Sequence, residues 1–393
     1  MGAVRLGRHQ GVLASQKGSS RTAVCYNRAP KGLLLVSYML PLGPFDQVWR
    51  GPLQLTLHVE GECIADVCGG APLHVRGCAN RLQHLRLTQC YPLVNRVCGV
   101  HSHHHALAWT MALEQLAGIE PPPRAQVLRT LVAEIERIVS HLHDVARIVR
   151  AAGLDRAARP LAGLREAALE CGQIITGRRL IHDFVRPGGV QDDLHRDECR
   201  ALDGKLVTLG RELGRLGTSV LQNRALRRRT SNTGQMPAER MRESEVASWI
   251  GRAAGLEEDL RSDLPYAAYS MAPLEVIRYS AGDVHARLST LLSESFVSIV
   301  YMRDLLAGLP QTRWRGDLLD QVPAGTATIS VEAPSGPLCY RLRSDGERLV
   351  EVGIASSQAQ NMLLLRLALQ GALVDDAALI VASFGICTAC AEA

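Results

Sequence analysis

Residues 96–105 of this 393-residue chain gather one thiol and four imidazoles, at Cys98, His101, His103, His104 and His105. A second pair of thiols, Cys387-Thr388-Ala389-Cys390, lies three residues before the last position. A C-x-x-H and a C-x-x-C can meet as one four-ligand site, and three thiolates with one imidazole form the donor set of closed tetrahedral zinc sites. A mononuclear nickel or another soft metal is equally open to these donors, because selection among soft metals falls to geometry and supply. A disulfide between Cys387 and Cys390, or an empty site, would use the same residues without a metal.

Such a site needs elements that carry residue 98 and the C-terminus to one place. Residues 51–67 alternate, with Leu53, Leu55, Leu57 and Val59 set against Gln54, Thr56 and His58, then a Glu60-Gly61-Glu62 turn, then Ile64 and Val67. This period of two predicts a strand, a tight turn and a return strand, hence a small N-terminal sheet. After His101 the period becomes helical through Leu107, Met111 and Leu116, ending at Gly118 and Pro121-Pro122-Pro123. From Val127 to Val149 apolar residues recur every three or four places, the stripe of a long buried helix. Glu134 and Glu136 precede Arg137 and His141 there, so a charged and paired face is expected. Further helices are predicted over 161–176, 194–226, 244–254 and 283–306, with a break at Gly188-Gly189. Arg227-Arg228-Arg229 and residues 230–239 read as an exposed loop. Strands follow at 327–332, 338–342 and 349–354 with Ser344-Asp345-Gly346 as turn chemistry. A helix over 359–369 and a buried apolar segment at 379–384 then deliver the C-x-x-C.

With 47% hydrophobic residues the chain can bury a large core, and its length suggests two or three lobes. A net charge of +5, from 44 basic and 39 acidic residues spread along the sequence, argues against nucleic acid as a partner. Residues 1–38 are the exception, with Arg5, Arg8, Lys17, Arg21, Arg28 and Lys31 and no acid. That composition superficially resembles a transit peptide; a flexible basic tail or a misplaced start codon is the expectation. No run approaches the roughly 18 apolar residues of a membrane span, so a soluble chain, or one held at a membrane by its partners, is expected. The 11 cysteines are odd in number and come without a secretory signal, so metal binding or burial is expected rather than a disulfide framework. Cys171, Cys199 and Cys339 lack ligand spacing and read as packing residues.

Taken in order, the residues resemble a known family. Leu42-Gly43-Pro44, Val59-Glu60-Gly61-Glu62, Arg76-Gly77 and Arg96-x-Cys98-Gly99-Val100-x-Ser102-His103-x-His105-Ala106 come first. Arg124-Ala125-Gln126, Arg129, Glu134 to Arg137, Ser140-His141-Leu142, Thr176-Gly177-x-Arg179, Gly188-Gly189-Val190 and Asp193-Leu194 follow. Asp263-x-Pro265-Tyr266-x-x-Tyr269, Gly282-Asp283-Val284-x-x-Arg287, Glu332-Ala333-Pro334-x-Gly336 and Cys387-x-x-Cys390 complete the series. Over roughly residues 40–393 this resembles the large subunit of nickel-iron hydrogenases. Within that family it is similar to the membrane-bound, energy-converting (formate-hydrogenlyase-type) branch, which is homologous to the 49-kDa (D) subunit of NADH:quinone oxidoreductase, complex I.

Pattern and resemblance agree on an α+β fold, a large central helical bundle with a small N-terminal β-sheet and a C-terminal α+β lobe. The expected division is a flexible tail at 1–38, a β-rich lobe at 39–95, the bundle at 96–310 and the last lobe at 311–393. The resemblance implies a subunit of a membrane-associated redox complex, cytoplasmic and peripheral on the inner face of the cell membrane. It also implies an iron-sulfur small subunit as electron partner, with ferredoxin-like and antiporter-like membrane subunits beside it. Members that end in a longer tail are processed just after the last C-x-x-C, and this end fits either a processed form or one needing no processing.

In the family, four thiolates hold nickel, and the second of each C-x-x-C pair bridges it to iron. Cys98, Cys387 and Cys390 match, but His101 stands at a bridging position, and one imidazole nitrogen has a single lone pair and cannot bridge two metals. Other family positions are changed as well. Leu53 and Gln54 replace a glutamate and a histidine, Ser335 an arginine, Gly385-Ile386 an acid-proline pair, and Ala393 a histidine or arginine. Nickel and iron are thus the cofactors implied by resemblance, and zinc or another mononuclear soft metal is the alternative at Cys98, His101, Cys387 and Cys390. Arg96, His103, His105, His141 and Tyr91 are expected around the site or on a proton or quinone route, and His104 as incidental. Three functions stand open: a redox subunit with an altered metal site, a non-catalytic scaffold with a structural zinc or no metal, and a quinone-reducing subunit of complex I type.

Overall fold

The computed structural model describes residues 36–47, 49–70, 74–245, 248–316, 319 and 322–393. Strands β1 (Ser37–Leu42), β2 (Leu55–Glu60) and β3 (Cys63–Gly69) form an antiparallel sheet in that order, with Leu40 opposite Leu57 and Leu57 opposite Val67. Leu55, Leu57 and Val59 are its buried side in β2, as the period of two predicts, and Ile64 and Val67 join them across an irregularity in the β2–β3 register. The edge strand β1 carries no such alternation, and its largely exposed residues explain why it is not legible. Of the tail expected over 1–38, residues up to 35 lie outside the described residues, and Ser37 and Tyr38 already belong to β1.

Two short helices, α1 (Cys78–Gln83) and α2 (Leu87–Val94), lead to the motif at residue 98. Then α3 (Ser102–Ala117) runs to Gly118, whose φ of 65° ends it in the left-handed conformation that glycine adopts without strain. Pro123 opens α4 (Pro123–Ala151), where a missing N–H costs nothing. The apolar stripe of α4 packs against α5 (Asp155–Thr176), and its charged face is buried as well. Glu134 pairs with Arg137 as expected, whereas His141 pairs outside the helix, with Glu294.

The break at Gly188-Gly189 is a two-stranded ribbon, β4 (Val185–Arg186) and β5 (Gly189–Val190). The helix expected over 194–226 is two, α6 (Arg196–Leu221) and α7 (Arg224–Thr230), because the Asn223 side chain accepts the Leu226 N–H and starts a new helix. Arg227, Arg228 and Arg229 are therefore exposed, as expected, but helical rather than loop. The helix expected over 244–254 is also corrected. Helix α8 (Ala238–Glu243) ends before it, and Ser248 caps the single turn α9 (Trp249–Arg252) by accepting the Ile250 N–H.

A further turn, α10 (Leu260–Asp263), precedes α11 (Val284–Ala307), which packs on α4 and α6 and completes the bundle. Strands β6 (Gly325–Ala333), β7 (Gly336–Ser344) and β8 (Leu349–Ser356) form an antiparallel meander with Val331 opposite Leu338 and Tyr340 opposite Ile354. After it come α12 (Gln358–Leu369), the buried α13 (Ala377–Ala382) and the terminal turn α14 (Thr388–Ala391). The meander lies against α3, and α12 lies against β3. Backbone bonds from Ile64 N to Ala372 O and from Gly371 N to Ile64 O tie the first sheet to the end of the chain. That tie carries the two cysteine motifs together. Among the described residues no helix is long and apolar enough to cross a membrane.

Candidate metal centre

Cys98 lies in the turn after α2, and His101 is the residue that caps α3. Cys387 caps α14 and Cys390 lies within it. Each pair thus spans one tight turn, which sets its two side chains on the same side. All four are buried, and one ligand atom from each lies within 4.8 Å of the other three. Cys98 Sγ is 3.4 Å from Cys387 Sγ, and His101 Nδ1 is 3.2 Å from Cys390 Sγ and 3.8 Å from Cys98 Sγ. With metal–sulfur bonds of about 2.3 Å and metal–nitrogen bonds of about 2.0 Å, a tetrahedron has edges of roughly 3.5 to 3.8 Å. These residues therefore fit a single tetrahedral ion.

They do not fit a two-metal centre that needs a bridging thiolate from each pair, because His101 stands at one of the bridging positions. Nδ1 faces the sulfurs, and Nε2 faces away, 3.2 Å from Arg50 Nη1 and 3.4 Å from Ser140 Oγ. Burial works against a charge on the ring, but thiolate character at Cys98 and Cys387 outweighs it and raises His101 to about 10. Arg50 imposes the opposite demand at Nε2, since a guanidinium can only donate. An ion taken by Nδ1 leaves the ring proton on Nε2, where Ser140 Oγ can accept it. Hydrogen bonds from Cys390 and Cys98 hold the Cys387 thiol well below the ordinary cysteine range, and those with Cys387 and Cys98, together with burial, push Cys390 well above it.

Sequence reasoning missed Arg50. Its Nε and Nη2 donate to Asp144 at 2.7 and 2.5 Å, and Nη2 also reaches Ser140 O and Oγ at 2.9 and 2.8 Å. Asp144 also accepts from Arg147 Nη1 at 2.7 Å. Arg50, Arg147 and Asp144 together carry a charge of +1, which opposes the −1 of a divalent ion on three thiolates. Two glycines make the arrangement possible. A Cβ at Gly51 would meet Thr388 Oγ1 at 2.2 Å, and Gly385, at φ +56°, sits where a Cβ would lie 2.9 Å from Asp144 Oδ2. The only sequence signal for this arginine is its place in Trp49-Arg50-Gly51-Pro52, an otherwise sparsely charged stretch.

The remaining expected residues divide. His105 is at the site, with Nε2 3.4 Å from Cys390 Sγ and Nδ1 2.8 Å from Tyr340 Oη, and burial lowers it to about 3. His103 turns to Arg129 O at 2.8 Å and is held near 4 by burial. His104, read as incidental, is buried with Nδ1 2.5 Å from Glu136 Oε2. His141 lies one residue beyond Ser140 and binds Glu294 Oε2 at 3.0 Å. Arg96 is half exposed and pairs with Asp183 at 3.1 Å, away from the thiols. Tyr91 is set among Glu114, Arg129 and Arg186, and its buried hydroxyl has no partner among the described residues. Leu53 is buried just before β2, Gln54 is exposed, and the Ser335 carbonyl accepts from Ser357 and Asn361.

The fold matches that of the 49-kDa subunit and of nickel-iron hydrogenase large subunits. Residues 76–145 match the family described as nickel-dependent hydrogenase, and residues 160–320 match the 49-kDa subunit of the respiratory-chain NADH dehydrogenase. The chain is homologous to the large subunits of membrane-bound, energy-converting nickel-iron hydrogenases and to the 49-kDa (D) subunit of complex I. The carbon monoxide-induced hydrogenase of Rhodospirillum rubrum is 29% identical over 91% of this chain and 99% of its own length. Formate hydrogenlyase subunit 5 of Escherichia coli is 27% identical over 90% of this chain, which spans 63% of that protein. A solved chain of the membrane-bound sulfane sulfur reductase, an archaeal respiratory membrane complex, superposes with a TM-score of 0.85 at 25% identity, covering 91% of this chain and 98% of that one.

Proposed function

We propose that this protein is the large subunit of a membrane-associated redox complex in which Cys98, His101, Cys387 and Cys390 hold one mononuclear soft metal ion. The observation that carries the reading is the orientation of His101, with Nδ1 turned to the thiols and Nε2 turned away from them toward Ser140. An imidazole so placed supplies one ligand and no bridge. The chain exchanges electrons with an iron-sulfur small subunit and is held at the inner face of the membrane by partner subunits. Support comes from relatives that are named hydrogenases and from the membrane complex that contains the superposing chain.

Elemental analysis of the purified complex, with infrared spectroscopy, tests the reading. Beyond the iron of the small subunit's clusters, one equivalent of a single metal per chain is expected, without bands from metal-bound carbonyl or cyanide; nickel and further iron with those bands would overturn it. His101→Cys is expected to shift metal preference toward nickel, and unchanged metal content and preference would remove His101 from the ligand set. The closed, buried three-sulfur, one-nitrogen donor set also favours a second reading, a structural zinc in a non-catalytic subunit. Zinc as the only metal beyond that cluster iron, with electron transfer through the complex unchanged when the zinc is removed, would decide for it.

A further inference from the structure

A second cluster of charged groups is buried beside the site and plays no part in holding a metal. Arg252 on α9 donates Nε to Glu294 Oε1 at 2.8 Å, and its Nη1 lies 3.2 Å from Glu332 Oε1 and 3.4 Å from Asp259 Oδ2. Arg261 on α10 binds Asp259 at 2.7 Å and Glu134 at 3.3 Å. Glu134 also accepts from Arg137 at 3.1 Å, and from the Tyr269 and Ser298 hydroxyls at 2.5 Å each. His141 closes the cluster on Glu294 through Nε2; its buried Nδ1 has no acceptor among the described residues, and burial lowers its proton affinity, so the ring is counted as neutral.

The cluster therefore sets four carboxylates, Glu134, Asp259, Glu294 and Glu332, against three guanidiniums, Arg137, Arg252 and Arg261. It is one negative charge in excess, and all seven side chains are buried. An uncompensated interior charge is costly enough that a group takes a proton instead. The hydrogen bonds show which one. Glu134, Asp259 and Glu294 each accept on both oxygens or from more than one donor, whereas Glu332 accepts a single bond on Oε1. Its buried Oε2 has no partner among the described residues, and neither have the buried Arg252 Nη2 and His141 Nδ1.

We propose that Glu332 is an interior proton-binding site: the cluster holds one exchangeable proton at neutral pH, on the Glu332 carboxyl, and loses it to solvent as the pH rises. The groups facing Glu332 are Arg252 from α9, Asp259 and Arg261 from the α10 segment, Arg137 from α4 and the Tyr266 hydroxyl, which accepts the Glu332 N–H. Burial and Asp259 push the carboxyl up, the arginines pull it down, and the balance lies at about 7. Through Arg252, Glu294 and His141 the proton site is joined to α4 one residue from Ser140, which binds Arg50 at the thiol site. The proposal does not depend on which metal the thiols hold.

The test is infrared spectroscopy of the full-length chain in its complex, titrated between pH 5 and pH 9, on the order of the interval spanned by a neutral carboxyl and its anion. A protonated carboxyl band that fades through about pH 7, is lost in Glu332→Gln and survives in Glu136→Gln is expected. Persistence of that band in Glu332→Gln, or no such band above pH 5, would overturn the proposal. Glu332→Asp, which keeps a carboxyl, provides the same test if Glu332→Gln does not fold: its band is expected at a displaced frequency, and an unmoved band counts against Glu332. Stability gives an independent readout. Because the folded carboxyl titrates above its ordinary 4.5, the folded state binds more protons and wild-type stability falls as pH rises from 4.5 to about 7. The folding constant of Glu332→Gln relative to wild type should therefore rise by up to about tenfold per pH unit in that window. A pH-independent ratio would show Glu332 ionised throughout.

Discussion

Arg50 sets the character of the site at the residue scale. Its guanidinium is buried and ties the loop before β2 to Asp144 and Ser140 on α4 while touching His101. Replacing it by leucine removes the charge and leaves Asp144 with Arg147 alone in the interior, a loss of about 3 to 5 kcal/mol for a broken buried pair. Arg50→Leu should show that loss as a lower denaturant midpoint with an unchanged slope; a stability within 1 kcal/mol, on the order of a surface substitution, would mean the pair is not held in solution. The four candidate ligands were legible in the sequence because each pair is defined by spacing within one turn. Arg50 was not, since its partners stand 90 and 94 residues away and nothing in its neighbours encodes burial.

Elements were legible where one period runs unbroken. The stripe of α4 and the alternation of β2 extend over their whole length, so propensity, period and burial agree. The segment 244–254 misleads because Trp249, Ile250, Ala253 and Ala254 share helical spacing, while Ser248 accepts the Ile250 N–H and confines the helix to one turn. Caps decide such cases, and α11 offers the clearest one to measure. Asp283 Oδ1 accepts the Ala286 N–H at 2.7 Å, and Oδ2 accepts the Asn232 N–H at 2.8 Å, so one carboxylate both starts the helix and pins the preceding loop. Asp283→Ala should cost about 1 to 2 kcal/mol, with Asp283→Asn recovering only part of it, because its amide keeps one acceptor oxygen where the carboxylate has two. Equal losses in both variants would show that the helix cap alone does not carry the effect.

At the scale of the whole molecule, the site is a meeting of distant segments: Arg50 before β2, the turn after α2, the middle of α4 and the last turn of the chain, with Cys98 and Cys387 separated by 289 positions. No local pattern states that meeting; it follows from the sheet contacts that bring residues 371–374 to β3. A metal bound there would act as a clasp added to the contacts that already join these segments, among them Arg76 N to Glu392 O at 2.9 Å and Ser356 to the Cys390 carbonyl at 3.2 Å. Binding to the folded state alone adds RT ln(1 + [L]/Kd), about 2.7 kcal/mol when free metal is a hundredfold above Kd. Chelation should therefore lower the melting temperature and speed amide exchange selectively at Cys387, at α14 and around Gly51, while the amides of β7, central in the meander, stay protected. Uniform loss of protection would mean that the metal supports the whole fold, and unchanged exchange at α14 would mean that the thiols hold their places without it.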